Sequence, residues 1–535
     1  MKKWIPILIL ALAQFVMVLD GTVMNVSIST VASDLGTTIT GMQTAITVFT
    51  LTMAAFMLTG GKLGDILGRQ RAFRIGGVIY GIGSLTTALA PTLGVLFLGW
   101  SIIEGLGAVL VIPAIASLAA ANYKGKDRVV AFSILGMAIG LATALGPVIG
   151  GYVTTYLSWR YVFAAETVIM IFVLLFSSKI TDAKVSGKVK LDIPSVFLSA
   201  SGMALLVFGV LQSRAWGWIR PLGAPEINGT EITPLGISLV AYLIIAGIVV
   251  LKLFYDRQVR LVDQGKQPLL KVSMLKIPVL RSGLTMLTAQ FFTIASLFFI
   301  IPVYLQTILG YNALDTGLKL VPLSVGLLIF TVIGSKRSAV KSTRRIVRAG
   351  QIVMATGALF TLSAIGPELV DSKFWLGLFF VGAGFGLLAS QLGNVTMSAV
   401  TEKESAEVGG LQGVFQNLGL SFGTAMIGSI FVLSLTTGFT SAIQASPDLS
   451  SSAKTAITAS SESGVGIVSE AQAKQYVLDN GGSESTANSV AATYSESQLD
   501  SLRMSMFFVF AFLIASLVFS KNLPAKIGAE STVSK

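Results

Sequence analysis

The sequence contains no cysteine and no histidine. The first absence excludes disulfides, thiolate metal sites and thiol nucleophiles. The second removes the side chain best suited to relaying protons near neutral pH, and with it the commonest metal ligand. Charge is scarce as well: 12% of the 535 residues are Asp, Glu, Lys or Arg, against about 25% in a soluble protein. No Walker-type phosphate loop, zinc-ligand spacing or nucleophile elbow occurs, which argues against ATP-driven and hydrolytic chemistry. Glycines such as Gly382–Gly386 sit inside an apolar run and are read as helix-packing positions.

What is abundant is apolar: 53% of the residues are hydrophobic, and mean hydropathy is +0.79. Apolar runs long enough to cross a bilayer recur along the whole chain. They are placed at about 4–28, 39–60, 72–90, 92–121, 130–156, 161–178, 191–212, 236–255, 282–304, 314–335, 347–366, 374–400, 410–436 and 504–520. The expected fold class is therefore all-α and polytopic, with fourteen transmembrane helices. Lys2 and Lys3 precede the first run as in a signal peptide. The run continues past Asp20 without a cleavage site, so it is read as a retained helix.

The net charge of +12 would suggest nucleic acid in a soluble chain. Here the basic residues mark orientation: 30 of the 38 fall at the N-terminus, in alternate loops and in the tail. That asymmetry places both termini in the cytoplasm. The expected division is 1–180, six helices; 181–281, helices 7 and 8 with basic linkers (Lys184, Lys188, Lys190); 282–520, six helices; and 521–535, a cytoplasmic tail. Residues 437–503 are too polar to span and are expected as a solvated outer loop, with short surface helices at 470–480 and 496–503; a lid is the alternative. Gly419 and Gly423 echo Gly136 and Gly140 at the same i, i+4 spacing, a sign of an internal repeat.

Between the second and third runs lies G-K-L-G-D-I-L-G-R-Q-R, Gly61–Arg71. Gly61, Gly64 and Gly68 permit a tight turn, and Asp65 stands among Lys62, Arg69 and Arg71. The pattern resembles the signature loop between helices 2 and 3 of the major facilitator superfamily. The resemblance implies a cytoplasmic latch whose Asp and Arg touch the other bundle in one conformation only, and two six-helix bundles around a central cavity. Without it, the loop reads as a positive-inside topology signal.

Further motifs carry the resemblance to the fourteen-helix drug:proton antiporters of that superfamily. Helix 1 has L-D-G-T-V-M-N-V-S-I-S, with Asp20 about 24 Å along the helix and Ser29 where the family has Pro. Helix 5 has A-L-G-P-V-I-G-G: Gly146, Pro147, Gly150 and Gly151 match the antiporter motif of the exporting branches, and also read as a close-packed kink. W-R-Y-V-F follows at Trp159–Phe163.

Helix 4 departs from the pattern. Ser101 stands at the usual Arg and Glu104 at the usual Gln, with Glu104 about 18 Å into the helix. A carboxylate at that depth without a cation partner favours its neutral form, so Glu104 is either an exchangeable proton site or a permanently protonated structural group. Glu166, at a position where the family has Asn, is the third membrane carboxylate and is expected toward the outer interface. Asp20, Glu104 and Glu166 are the candidate proton-coupling residues.

In the C-terminal half, Thr288 and Phe292, with Thr285 and Ser296, share a helix 9 face; Gln391 and Asn394 do so on helix 12, and Gln412 and Gln416 on helix 13. With Ser101 these are candidates for the substrate cavity, the alternative being ordinary interhelical hydrogen bonds. The resemblance implies a proton-driven exporter of hydrophobic or cationic toxic compounds, with no enzymatic activity and no cofactor beyond the proton gradient. The expected partners are a small molecule, protons and the lipid bilayer, in a monomer of a prokaryotic plasma membrane, without nucleic acid. An exporter or flippase of an endogenous lipid or metabolite, and a non-transporting membrane sensor, remain alternatives.

Overall fold

The computed structural model describes residues 2–123, 125–182, 191–221, 226–227, 230–337, 342–400, 405–447, 449–461 and 465–524. The linker lysines Lys184, Lys188 and Lys190, and the tail beyond 524, lie outside the described residues.

Among the described residues, fourteen long helices carry the architecture. They are α1 (Ile5–Val26), α2 (Ile39–Leu67), α3 (Arg69–Ala88), α4 (93–122), α5 (Gly125–Tyr156), α6 (Arg160–Phe176), α7 (Ile193–Trp216), α8 (Leu239–Asp263), α9 (Pro278–Val303), α10 (Ala313–Arg337), α11 (Thr343–Ala364), α12 (Asp371–Ser398), α13 (Ser405–Ala445) and α14 (Glu484–Ser516). Among the described residues, thirteen helices are long and apolar enough to cross a membrane. The expected third span is the remaining long helix, α3, whose N-terminal turn holds Arg69, Gln70, Arg71 and Arg74 and whose remainder is rich in Gly, Ser and Thr. Its low hydropathy follows from its place: Gly76 and Gly83 lie where a Cβ would strike α4.

Small residues set the packing throughout. Gly76, Gly83, Gly99 and Gly107 bring α3 against α4, and Gly350, Gly357, Gly377 and Gly384 bring α11 against α12. Gly382 and Gly386 do the same for α12 against α10, as the apolar setting of these glycines suggests. Without a hydrophobic drive between helices in lipid, such close approach supplies the attraction.

The internal repeat shows in contacts. Gly146 and Gly150 of α5 pack on Leu19, Thr22 and Val23 of α1, while Gly419 and Gly423 of α13 pack on Thr288, Phe291 and Phe292 of α9. The pair that matches Gly419 and Gly423 is thus Gly146 and Gly150. Gly136 faces open space and Gly140 meets only a Leu328 side chain, so the pairing read from spacing alone shifts by ten residues.

Helices α7 and α8 pack on each other, and α7 also lies against α2 and α13. A short hairpin, β1 (Glu226–Ile227) and β2 (Thr230–Glu231), occurs in the α7–α8 connection. Asp192 caps α7 through Ser195 N (3.1 Å) and takes a two-pronged contact from Arg257 of α8 (2.7 and 2.8 Å). The guanidinium holds the Asp192 carboxyl at about 2, below the usual carboxylate range.

The segment 437–503 differs from the expected solvated loop. α13 continues to Ala445 and α14 starts at Glu484, with short helices Ser451–Ser461 and Glu470–Asp479 between them. The 41 residues of α13 extend about 60 Å, twice the hydrocarbon thickness of about 30 Å, so its end projects beyond a bilayer. Phe439, Ile443, Ile467, Val490 and Tyr494 are buried there. The apolar residues hidden among Ser, Thr and Glu make this a packed cap. The capping box of Ser469 and Gln472 starts the 470–479 helix.

Candidate functional site

The site begins with an irregular turn. α4 opens as Leu93–Leu96, passes through a π-helical stretch at Phe97–Glu104 and continues as Gly105–Asn122. Such wide turns are rare and often mark functional positions. This one carries Trp100, Ser101 and Glu104, all buried. The indole Nε1 of Trp100 donates to both carboxyl oxygens of Asp20, at 2.8 and 3.1 Å, and its ring stacks on Phe49 at 4.8 Å. Ser101 donates to the Ala45 carbonyl of α2 at 2.9 Å, so a short helix-to-helix bond occupies the place where the family has Arg.

Glu166 enters from α6. Its carboxylate accepts from Tyr80 (3.3 Å) and Ser84 (3.2 Å) of α3. Asp20, Glu104 and Glu166 thereby form a triad, each contributing an oxygen within 4.8 Å of the others. All three are buried. Both oxygens of Glu104 and one of Glu166 lack a hydrogen-bond partner. The separate levels expected for Asp20, Glu104 and Glu166 are thus replaced by one cluster, because α1, α4 and α6 converge at the same depth. Among the described residues no lysine or arginine pairs with any of the three. Isolated charges in such a site are costly.

Trp100, Tyr80 and Ser84 escaped the sequence reading. The only available signal was a Trp and a Tyr in the middle of apolar runs, where a buried N–H or O–H needs a partner.

The antiporter-type motif lies one turn away. A Cβ on Gly146 would sit 1.8 Å from Thr22 Oγ1, and one on Gly150 would sit 2.7 Å from Val23. Gly151 abuts the Ala313 carbonyl of α10, and Gly317 abuts the Pro147 carbonyl. The motif therefore clamps α1, α5 and α10 together. Around it the two bundles are sewn at the face opposite the N-terminus. Ser29 donates to Gln306, whose amide donates to the Val26 carbonyl at 2.6 Å where α1 breaks; Leu314 N donates to Thr155 at 3.1 Å. Ser29 thus uses its hydroxyl where the family has Pro. Gln43 reaches the Thr424 carbonyl (2.7 Å) and Ser421 reaches the Thr47 carbonyl (3.1 Å), joining α2 to α13. Beside the W-R-Y turn, Arg160 and Trp159 both bond Asp34, which they hold below the usual carboxylate range.

The latch loop is local. Gly68 ends α2 with φ 92°, a conformation open to glycine. Asp65 pairs with Arg69, whose Nη1 donates to the Gly61 carbonyl at 3.1 Å and lies against Gly64. Arg71 is exposed. Among the described residues, the bonds of Asp65 and Arg69 stay within their own bundle.

The C-terminal polar residues fall into two groups. Thr288 bonds the Phe415 carbonyl (3.0 Å), Gln391 the Gly334 carbonyl (3.1 Å), and Gln412 the Gly393 carbonyl (3.0 Å). These are interhelical or local bonds. Phe292 is buried 4.2 Å from Phe512. Asn394 is exposed and Gln416 is half-buried.

The model of the Major Facilitator Superfamily matches residues 10–424. The chain belongs to the major facilitator superfamily. Among its relatives is a protein named probable actinorhodin transporter from Streptomyces coelicolor, 28% identical over 438 residues, covering 80% of this chain and 72% of that protein. Another is the cephamycin export protein CmcT of Amycolatopsis lactamdurans, 28% identical over 426 residues, covering 78% and 82%. The fold matches a bacterial homologue of the human lysosomal transporter Spinster in an inward-facing, unoccupied conformation. That match has a TM-score of 0.59 and 12% identity, and covers 98% of each chain. As a member of this superfamily the chain is a transporter with many membrane-spanning helices, and the expected superfamily fold stands.

Proposed function

We propose that the chain is a proton-coupled exporter of hydrophobic or cationic toxic compounds, working as an antiporter in a prokaryotic plasma membrane with both termini cytoplasmic. The carrying observation is the buried Asp20–Glu104–Glu166 triad with no basic partner among the described residues. A carboxylate cluster that is neutral when protonated and anionic when not can bind protons or a cationic substrate in alternation, which is the requirement for exchange. Relatives named for antibiotic export and resistance support the direction of transport. Asp65 and Arg69 serve as the latch; Gly146, Pro147, Gly150 and Gly151 form the sealing motif. Segments 1–180 and 282–520 act as the two moving bundles, with 181–281 an inserted pair.

For the cavity, Asn394 and Gln416 are the better substrate contacts, since neither shows an interhelical bond. Ser101, Thr288, Gln391 and Gln412 act mainly as joints between helices, and Phe292 as an aromatic wall.

The test is flux in inside-out vesicles. Ethidium uptake into the lumen should require a pH gradient and collapse with a protonophore. Accumulation that ignores the gradient would overturn proton coupling. Transport of lipid extract in place of ethidium would move the substrate class to endogenous lipids.

A further inference from the structure

The cap formed by the ends of α13 and α14 and the helices Ser451–Ser461 and Glu470–Asp479 holds an open cavity of about 380 Å³. That lies within the range of small-molecule sites, about 300–1,000 Å³. Its wall is apolar and aromatic: Phe439, Val465, Val477, Val490 and Tyr494, with Tyr476 at the mouth. The Tyr494 hydroxyl is already spent, donating to the Gly466 carbonyl (2.8 Å) and accepting from Val468 N (3.0 Å). Its ring, set edge-on to Phe439 at 5.8 Å, is what it offers to the cavity. Besides this ring and Tyr476 at the mouth, the wall offers only the Ser461 and Gln472 side chains as polar partners, so the cavity favours a largely apolar occupant.

Two further observations define the occupant. Residues 437–503 hold seven acidic and three basic residues, in a chain whose net charge is +12. Five of these acids, Glu470, Asp479, Glu484, Glu496 and Asp500, lie among the described residues, so the segment's net charge is negative and its field draws cations. Aromatic faces attract a desolvated cation as well. Moreover, α13 runs unbroken from the bundle interface at Gly413 and Ser421 to Phe439 in this wall, so the cavity is continuous with an element of the transport core.

We propose that this cap cavity is a binding site for aromatic amphipathic cations, separate from the carboxylate triad and on the face opposite the N-terminus. It rests on the proposed export function only for the choice of probe. A compound held there has left the sealed membrane portion and is kept from partitioning straight back into the lipid.

The absence of native cysteine makes the test direct. Ala473→Cys places a thiol at the cavity wall, and Gln475→Cys places one on the outer side of the same helix. Full-length protein in detergent is reacted with a maleimide, with and without tetraphenylphosphonium. At about ten times its Kd the probe should slow labelling at position 473 about tenfold, since only free protein reacts, and leave position 475 unchanged. Adding Val490→Trp, or Val490→Phe if the larger ring prevents insertion, should abolish protection. Adding Glu104→Gln should leave it intact, which separates this site from failure of proton coupling. Absence of protection at position 473, equal protection at both positions, or protection that survives filling of the cavity would overturn the proposal.

Discussion

Glu104→Gln tests the triad with little disturbance of packing. The two side chains have nearly the same shape, and neither oxygen of Glu104 has a hydrogen bond to lose. The new amide would instead offer N–H donors to Asp20 and Glu166. The electrical effect is larger. Two unit charges within 4.8 Å of each other interact by at least about 3.5 kcal/mol at an effective permittivity near 20. With Gln at 104 the other two carboxylates lose that influence, and the site loses one proton. Efflux of a cationic dye driven by a pH gradient should fall to background, and proton release on adding substrate, read with a pH dye in detergent, should vanish. The melting temperature should not fall. Full pH-driven efflux by the mutant would refute the role of Glu104, and if Asp20→Asn alone then stopped transport, coupling would belong to α1.

Four other outcomes are expected. Gly317→Ala places a Cβ 2.2 Å from the Pro147 carbonyl, so α5 and α10 must separate; an overpacking cost of about 1–3 kcal/mol should lower transport at least several-fold, and a normal rate would show that this seal is not needed. Asp65→Asn removes the ion pair with Arg69 and should impair turnover in vesicles while the protein stays folded; unchanged turnover would reduce the loop to a topology signal. Asp192→Asn should cost about 1–2 kcal/mol at neutral pH. Because the Asp192 carboxyl is depressed to about 2, its contribution is present above about pH 4 and lost as pH falls toward 2, so wild-type and mutant melting curves should converge over that window. Finally, Ser451→Cys should react with an impermeant maleimide from outside intact cells and Gln264→Cys should not; labelling of both from one side would break the even helix count.

The apolar spans were legible because length and hydropathy are local properties of the chain. α3 was the hardest, since its glycines and hydroxyls make it poor in hydropathy and good at packing. The motif loops were legible for the same reason: Asp65 and Arg69 lie four residues apart, and their ion pair closes within one turn. The triad was legible only as three separate acids. Asp20, Glu104 and Glu166 come from three helices, and nothing in their sequence spacing reveals that a π-helical turn aims Glu104 at the other two. The cap was misjudged because its apolar residues are diluted among Ser, Thr and Glu; burial of Phe439, Ile467 and Tyr494 is a tertiary event.

One turn of α1 carries both a triad carboxylate and the contacts with the antiporter-type motif. Asp20 faces Trp100 and the triad, while its neighbours Leu19, Thr22 and Val23 carry the contacts with Gly146 and Gly150. A few residues on, the helix breaks at Ser27, whose hydroxyl meets Thr154 of α5 at 2.7 Å, and Gln306 of the other bundle takes hold of the freed Val26 carbonyl. On the proposed mechanism, a proton gained or lost at Asp20 would change what that turn prefers to touch, and the same turn is wedged against the helix that packs on the other bundle through Pro147, Gly151, Ala313 and Gly317. Close packing leaves the wedge no slack: a Cβ at Gly146 would already overlap Thr22, so a small shift of α1 must be passed on to α5 rather than absorbed. Coupling then needs no long path. It requires that the triad and the seal share α1, and that the two charge states of the triad favour different positions of that helix, which is the differential interaction any conformational exchange demands.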